Sequence, residues 1–124
     1  MKKAFLLEDD QERVKWFIEE FEKYNYEYDI TDQVDVAIKM LAENKYKMVF
    51  LDHDLGGKQM VASEDPNTGF QVALTIPKTI NKESTIIIHS RNPIGSKNIQ
   101  NYLKESGCPN IGVAPFGMFN LNPY

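Results

Sequence analysis

Three short apolar runs that end abruptly in polar side chains constrain the fold of this chain more than any other feature. The runs span 4–7, 48–51 and 85–88. Continuous apolar runs of this length are typical of strands that are buried on both faces of a parallel sheet. The residues that follow them directly are Glu8, Asp52 and His89. Acids and an imidazole are therefore expected at the ends of buried strands.

Amphipathic stretches separate these runs, with apolar residues at the spacing of one helix face. The predicted helices span about 11–24, 34–41, 70–80 and 96–106. Asp32 and Ser96 are predicted to cap the second and fourth helices, and Pro77 to kink or end the third. Weaker strands are predicted at 26–30 and 111–114. Strands that alternate with helices predict an α/β fold with a doubly wound, five-stranded parallel sheet.

Length and charge narrow the class of protein. The chain has 124 residues, which predicts one domain spanning 1–124. Its net charge of −4 argues against a basic nucleic-acid-binding face, so no duplex nucleic acid is expected as a partner. The single cysteine, Cys108, excludes an internal disulfide, and no apolar stretch is long enough for a signal peptide or a membrane span. A cytoplasmic location without membrane contact is therefore expected.

The polar residues at the strand ends form three groups. They are Glu8-Asp9-Asp10, Asp52-His53-Asp54 and His89-Ser90-Arg91-Asn92. In a doubly wound sheet ligands bind at the carboxyl ends of the strands, so the three groups are expected to meet at one edge. Carboxylates packed this closely repel one another unless a cation neutralises them or some of them bind protons. A hard divalent cation such as Mg²⁺ fits this need, because it binds carboxylates, waters and phosphate oxygens.

Each group taken separately also has an ordinary structural interpretation. Acids after a strand often cap the next helix, acids in loops form turns, and a histidine is usually satisfied by backbone partners. The coincidence of all three groups at corresponding strand ends favours the metal site over these alternatives.

The order of these motifs resembles the receiver domain of the response-regulator superfamily over almost the whole chain. Glu8-Asp9 is similar to the acidic pair after the first strand, Asp52 occupies the place of the phosphoacceptor aspartate, and Ser90 that of the hydroxyl residue. Val113-Ala114-Pro115-Phe116 resembles the Lys-Pro-Phe segment, with Ala114 where the family has its lysine. The resemblance implies a flavodoxin-like receiver fold.

Three departures from that pattern argue against an ordinary phosphorylation switch. Ala114 cannot pair with a phosphoryl group as lysine does. The loop between Asp52 and Gly69 is longer than that of a receiver, and the nine residues after Pro115 leave no room for a full fifth helix.

Two motifs resemble a divergent branch, the cyclic-phosphate processing receiver domains. They are Leu51-Asp52-His53-Asp54-Leu55-Gly56 and His89-Ser90-Arg91-Asn92-Pro93-Ile94-Gly95. This resemblance implies a small phosphorylated or cyclic-phosphate ligand. An RNA end that carries a 2′,3′-cyclic phosphate and a cyclic nucleotide both fit that description.

The resemblance suggests a metal-dependent phosphoesterase. Asp9 and Asp52 are the main candidate ligands for Mg²⁺ or Mn²⁺, with Glu8 or Asp54 either binding the ion as well or supporting the residues that bind it. Ser90, Arg91 and Asn92 are candidates to bind phosphate oxygens, with Arg91 partly replacing the missing lysine. The candidate catalytic residues are His89, Asp52 and His53. Asp52 is either the nucleophile or a metal ligand only.

The two histidines are candidates for general acid–base catalysis, because an unperturbed imidazole titrates near pH ~6.5. Successive side chains of a strand point to opposite faces, so His53 is not expected to share the direction of Asp52. A turn that begins at His89 would bring its ring to the site, which favours His89 over His53. The alternative function is a non-enzymatic receiver or phospho-ligand-binding module in which Asp52 is the phosphoacceptor.

Overall fold

Five strands and four α-helices make up the part of the chain, residues 2–114, that the computed structural model describes. The strands are β1 (Lys3–Leu7), β2 (Glu27–Thr31), β3 (Met48–Leu51), β4 (Thr85–Ile88) and β5 (Ile111–Val113). The helices are α1 (Gln11–Lys23), α2 (Val34–Glu43), α3 (Gly69–Ala73) and α4 (Pro93–Glu105), with a 3₁₀ turn at Ile76–Lys78. All strand pairs are parallel, in the order β2-β1-β3-β4-β5. The predicted α/β fold with a doubly wound parallel sheet is confirmed.

The sheet separates two apolar layers because side chains alternate along each strand. Leu6 and Phe50 point to one face, where they pack against Phe17 and Phe21 of α1. The opposite face packs against α2, α3 and α4. Its buried apolar residues include Phe5, Leu7, Val49, Leu51, Ile86 and Ile88. No helix within residues 2–114 is long and apolar enough to cross a membrane.

Several element boundaries differ from the prediction for local reasons. Asp32 does not cap α2, because Gln33 holds the N-cap position and makes no side-chain capping bond. Ser96 does not cap α4, because that helix begins three residues earlier at Pro93, whose fixed φ suits the first turn, with Asn92 as its cap. The predicted third helix is short and continues as a 3₁₀ turn that contains Pro77. The sequence also predicts that no full fifth helix follows Pro115, and this prediction lies outside the described residues 2–114.

The strand register aligns the residues that carry the predicted chemistry. Backbone hydrogen bonds continue one residue past the strands, from Asp52 N to Leu7 O (3.1 Å), His89 N to Leu51 O (3.0 Å) and Ala114 N to Ile88 O (3.0 Å). Glu8, Asp52, His89 and Ala114 therefore form one row across the carboxyl edge of the sheet, which we call the terminal row. Its side chains follow the alternation that puts Leu6 and Phe50 on the α1 face.

The backbone after β3 lies against the start of α3. The Gly69 amide donates to His53 O at 2.8 Å, and a Cβ on Gly69 would lie 1.8 Å from the Asp52 carbonyl oxygen. Only glycine permits this approach without moving the backbone of Asp52.

We expect Gly69→Ala to destabilise the protein by about 3 kcal/mol, the upper end of what overpacking a buried site typically costs. Chemical denaturation measures this loss. Gly57→Ala is the matched control, because a Cβ there meets nothing within 4 Å although φ is +75°. That change should cost only ~1 kcal/mol from backbone conformation. Equal stability of the two variants would contradict the packing described here.

Candidate functional site

A cleft of about 460 Å³ opens at the carboxyl edge of the sheet. Its charged lining residues are Asp9, Asp10, Arg13, Asp32, Asp52, Asp54, Lys58 and Arg91. The rest of the cleft wall is formed by the segment from Gly56 to Met60 and by Ser90. This volume lies in the range of small-molecule binding sites. A cleft of this size is too small for a nucleic-acid duplex.

Glu8 is a buried carboxylate at the end of β1, 1% exposed. Its Oε2 accepts hydrogen bonds from the backbone amides of Asp9 (3.1 Å) and Asp10 (3.0 Å). Its Oε1 lies 2.8 Å from Nε2 of His89, whose ring packs against Phe17 with 5.1 Å between centroids. Backbone and imidazole thus hold the Glu8 carboxylate in one orientation.

Asp52 lies beside Glu8 in the terminal row and is 4% exposed. Its Oδ1 accepts the backbone amide of His53 at 2.8 Å, whereas its Oδ2 is buried and has no hydrogen-bond partner within residues 2–114. Glu8, Asp52 and His89 each offer a ligand atom within 4.8 Å of the other two. A buried carboxylate oxygen without a partner is costly, so this position suits a cation or a proton.

Arg13 is the one cation that contacts both buried carboxylates among the described residues. A terminal guanidinium nitrogen lies 3.2 Å from Glu8 Oε2 and 3.8 Å from Asp52 Oδ2. Arg13 lies outside the three strand-end groups that the sequence singles out. A signal did exist, because Arg13 lies in the first turn of α1, where the helix dipole disfavours positive charge.

Burial sets the protonation of this group. It raises the pKa of Glu8, and burial together with the Glu8 charge raises the pKa of Asp52 to about 7. Burial also lowers the pKa of His89 to about 4, so the imidazole is neutral at neutral pH. Two acids therefore share one guanidinium, and this pocket favours additional positive charge.

The acidic triplet after β1 divides into three separate roles. Glu8 joins Asp52, as described above. Asp9 lies at the rim, where its Oδ2 accepts the Gly57 amide at 2.7 Å. Asp10 is the N-cap of α1 and accepts from the amides of Glu12 and Arg13. The capping interpretation therefore applies to one of the three acids.

His53 and Asp54 lie apart from Asp52, in the loop between β3 and α3. The His53 ring is 0% exposed; its Nδ1 lies 2.7 Å from Asp54 Oδ1 and its Nε2 lies 2.9 Å from Ser63 Oγ. Asp54 also accepts from the amides of Met60 (2.7 Å) and Val61 (3.2 Å). Burial favours a raised pKa for Asp54, but hydrogen bonds led by the one from His53 hold that pKa below its ordinary value.

Asn92 joins this loop to α4. Its Oδ1 accepts the Gly95 amide at 2.9 Å, and its Nδ2 donates to Asp54 Oδ1 (3.0 Å) and to Val61 O (3.1 Å). A Cβ on Gly95 would lie 2.4 Å from the His53 ring. The Asp-His-Asp-Leu-Gly and His-Ser-x-Asn-Pro-x-Gly motifs therefore meet in one packed contact behind the cleft.

Ser90 and Arg91 lie on the cleft side of the second motif. The Ser90 hydroxyl accepts the Asn92 amide at 3.1 Å, and Arg91 is exposed. Both side chains are thus available to a ligand, whereas the polar atoms of Asn92 are already hydrogen-bonded.

Comparison with known proteins identifies one matching family model. The model of the cyclic-phosphate processing receiver domain matches residues 5–105. A search of the curated proteins found no significant sequence relative.

Solved structures of receiver domains share the fold at low identity. The response regulator TrrA from Thermotoga maritima, solved with Mg²⁺-BeF, is 20% identical, with a TM-score of 0.67 and coverage of 94% of this chain and 90% of that chain. The non-phosphorylated HemR receiver domain from Leptospira biflexa is 20% identical, with a TM-score of 0.68 and coverage of 94% and 84%.

A third similar structure is the receiver domain of the sensor histidine kinase PA1611 from Pseudomonas aeruginosa, with a magnesium ion coordinated in its active-site cleft. It is 14% identical, with a TM-score of 0.66 and coverage of 94% and 88%. These likenesses confirm the predicted receiver fold.

We expect Asp52→Asn, in the absence of divalent cations, to gain stability relative to the natural chain as the pH rises from about 4 to about 7. The raised Asp52 pKa means that its contribution is present below the ordinary value of 3.8 and is lost as the pH rises through about 7. The lowered His89 pKa acts in the opposite direction, and both proteins retain His89 and Glu8, so their difference reports Asp52 together with its electrostatic coupling to these two residues.

Urea midpoints between pH 4.5 and 7.5 measure this effect, which we expect to be on the order of 2 kcal/mol. The exposed Asp35 gives the matched control, Asp35→Asn, whose difference from the natural chain should not follow the same pH course. A pH-independent difference for Asp52→Asn would show that Asp52 ionises normally.

Proposed function

Since this chain belongs to the cyclic-phosphate processing receiver domain family, we propose that it is a metal-dependent phosphoesterase for a small cyclic phosphodiester. The observation that carries the proposal is the buried Asp52 Oδ2, which has no hydrogen-bond partner within residues 2–114 and lies beside Glu8 at the floor of a small polar cleft. An oxygen-rich, negatively charged pocket of this size suits a divalent cation together with a phosphate group.

The residues present fit Mg²⁺ or Mn²⁺. Glu8 and Asp52 would hold the ion, and Asp9 at the rim would add a further carboxylate. Two similar receiver structures contain Mg²⁺, which supports the choice of metal. When bound, such an ion neutralises phosphate oxygens and lowers the pKa of bound water. Asp54 is a weaker candidate ligand, because it is not in the group of described residues whose ligand atoms lie within 4.8 Å of one another, which contains Glu8 and Asp52.

The ligand we propose is small and carries a cyclic phosphate, such as a 2′,3′-cyclic nucleotide or an RNA end. Ser90 and Arg91 would bind its phosphate oxygens from the cleft wall. Hydrolysis forms a bond between a water oxygen and phosphorus, breaks one ring P–O ester bond, and transfers a proton to the departing oxygen. The acids that line the cleft would repel a longer polyanion, which favours a single phosphate group.

For His89 we propose a positioning role in place of general acid–base catalysis. The ring is 1% exposed, does not line the cleft, and directs Nε2 at Glu8. His53 and Asn92 are proposed to hold the loop and α4 together, because their polar atoms contact Asp54, Ser63 and backbone groups.

The alternative, a phosphorylation switch at Asp52, has less support. Ala114 occupies the terminal row and brings only a methyl group to it, so no cation from β5 pairs with a phosphorylated Asp52. Intact-mass measurement after incubation with acetyl phosphate distinguishes the two functions.

We expect the purified chain, with Mg²⁺ or Mn²⁺, to open 2′,3′-cyclic AMP, 3′,5′-cyclic AMP or an oligoribonucleotide with a 2′,3′-cyclic phosphate end. ³¹P NMR follows the conversion of diester to monoester. Asp52→Asn should reduce turnover to background and Asp35→Asn should not change it. His89→Gln, which can still donate to Glu8, should stay within about tenfold of the natural chain, whereas loss of a general acid–base costs about 10²–10⁴-fold.

If none of these substrates is converted with Mg²⁺ or with Mn²⁺, the proposed activity is contradicted. A stoichiometric acetyl-phosphate adduct that disappears in Asp52→Asn, without turnover, would establish the phosphoacceptor function in its place. Equal losses in His89→Gln and His89→Ala would return the acid–base role to His89.

A further inference from the structure

We propose that Arg13 is the main phosphate-binding cation of the cleft, with Arg91 secondary to it, and that it supplies from α1 the positive charge that Ala114 lacks. This inference rests on the phosphate ligand of the proposed function. It differs from the sequence analysis, which assigned the replacement of the missing lysine to Arg91.

The position of Arg13 supports this role. Its guanidinium lines the cleft and lies within 3.8 Å of Asp52 Oδ2 at the cleft floor. The side chain is 21% exposed, so it reaches from the floor towards the opening. A phosphate group that occupies the cleft next to Asp52 would therefore meet this guanidinium.

The hydrogen bonds of Arg13 are incomplete. One terminal nitrogen faces both carboxylates, while Nε is buried and has no acceptor within residues 2–114. A guanidinium carries five N–H donors in a planar fork that matches two oxygens of a phosphate group. Nε itself is closed to solvent, so a phosphate in the cleft would bind the terminal nitrogens of this partly exposed side chain.

The other cations of the cleft are less well placed. Arg91 and Lys58 are exposed, and neither makes an ion pair with Glu8 or Asp52 in the described part of the chain. Holding either of these side chains against a phosphate would cost more conformational entropy than using a side chain that contacts the floor already.

Arg13 also has an opposite effect on metal binding. Its charge lies next to the two carboxylates proposed to hold the divalent cation, and like charges repel. Removing the guanidinium should therefore strengthen Mg²⁺ binding while weakening phosphate binding. A purely structural Arg13 would not give this split, because its loss would weaken both.

The experiment measures two affinities by calorimetry, for Mg²⁺ alone and for inorganic phosphate at saturating Mg²⁺. The variants are Arg13→Gln, Arg13→Lys and the matched control Lys15→Gln, which removes an exposed charge from the same helix. We expect Arg13→Gln to bind phosphate at least tenfold more weakly and Mg²⁺ as tightly as the natural chain or more tightly. The phosphate affinity of Arg13→Lys should lie between those of Arg13→Gln and the natural chain, because lysine keeps the charge but not the fork. Lys15→Gln should match the natural chain in both affinities.

Unchanged phosphate affinity in Arg13→Gln would overturn the inference. Weaker binding of both Mg²⁺ and phosphate, with a lowered melting temperature, would overturn it too and make Arg13 a structural residue. If the natural chain binds Mg²⁺ but neither phosphate nor any cyclic phosphate, the proposed function itself fails, and this inference fails with it.

Discussion

Two carboxylates, Glu8 and Asp52, are buried side by side at the carboxyl edge of the sheet, and the surrounding structure depends on keeping them there. Two unit charges ~4 Å apart repel by about 4 kcal/mol at the effective dielectric of a protein surface. That cost is a large part of the ~5–15 kcal/mol stability of a typical domain. Backbone amides of Asp9, Asp10 and His53, the His89 imidazole and the Arg13 guanidinium all act against it.

This arrangement explains how a receiver fold can lack the lysine of the family pattern. The terminal row brings Ala114 level with the carboxylates, so no charge comes from β5. Positive charge comes from Arg13 on the helix that covers the same face of the sheet. In the role we propose, Arg13 replaces the missing lysine through tertiary packing, because residue 13 and residue 114 lie far apart in the sequence.

The parts of the fold that follow from apolar periodicity could be predicted from the sequence. The bounds of β3 and β4 match the prediction, and their common edge follows because parallel strands in register end together. The helix caps were harder, since capping preference favours Asp32 over Gln33, which holds the N-cap of α2, and does not separate Ser96 from Asn92 at α4. Asn92 is the cap of α4 because Pro93 starts that helix, a competition between two local signals.

The direction of each polar side chain was harder still to predict. Strand alternation separated His53 from Asp52, and the structure places His89 next to Glu8 and His53 in the loop network. Strand alternation did not indicate that Asn92 would be fully hydrogen-bonded within the protein. Residue spacing does not reveal Arg13, because its contacts cross from a helix to two strands; the signal in the sequence is its positive charge in the first turn of α1.

An Mn²⁺ titration followed by electron paramagnetic resonance tests most directly whether Asp52 and Glu8 form one divalent-cation site. Free Mn²⁺ gives a sharp signal that is lost on binding, so the titration counts sites and measures their affinity. We expect one ion per natural chain, at least tenfold weaker binding in Asp52→Asn and in Glu8→Gln, and no change in Asp35→Asn. Binding that persists unchanged in both cleft variants, or no binding by the natural chain at millimolar Mn²⁺, would contradict the account.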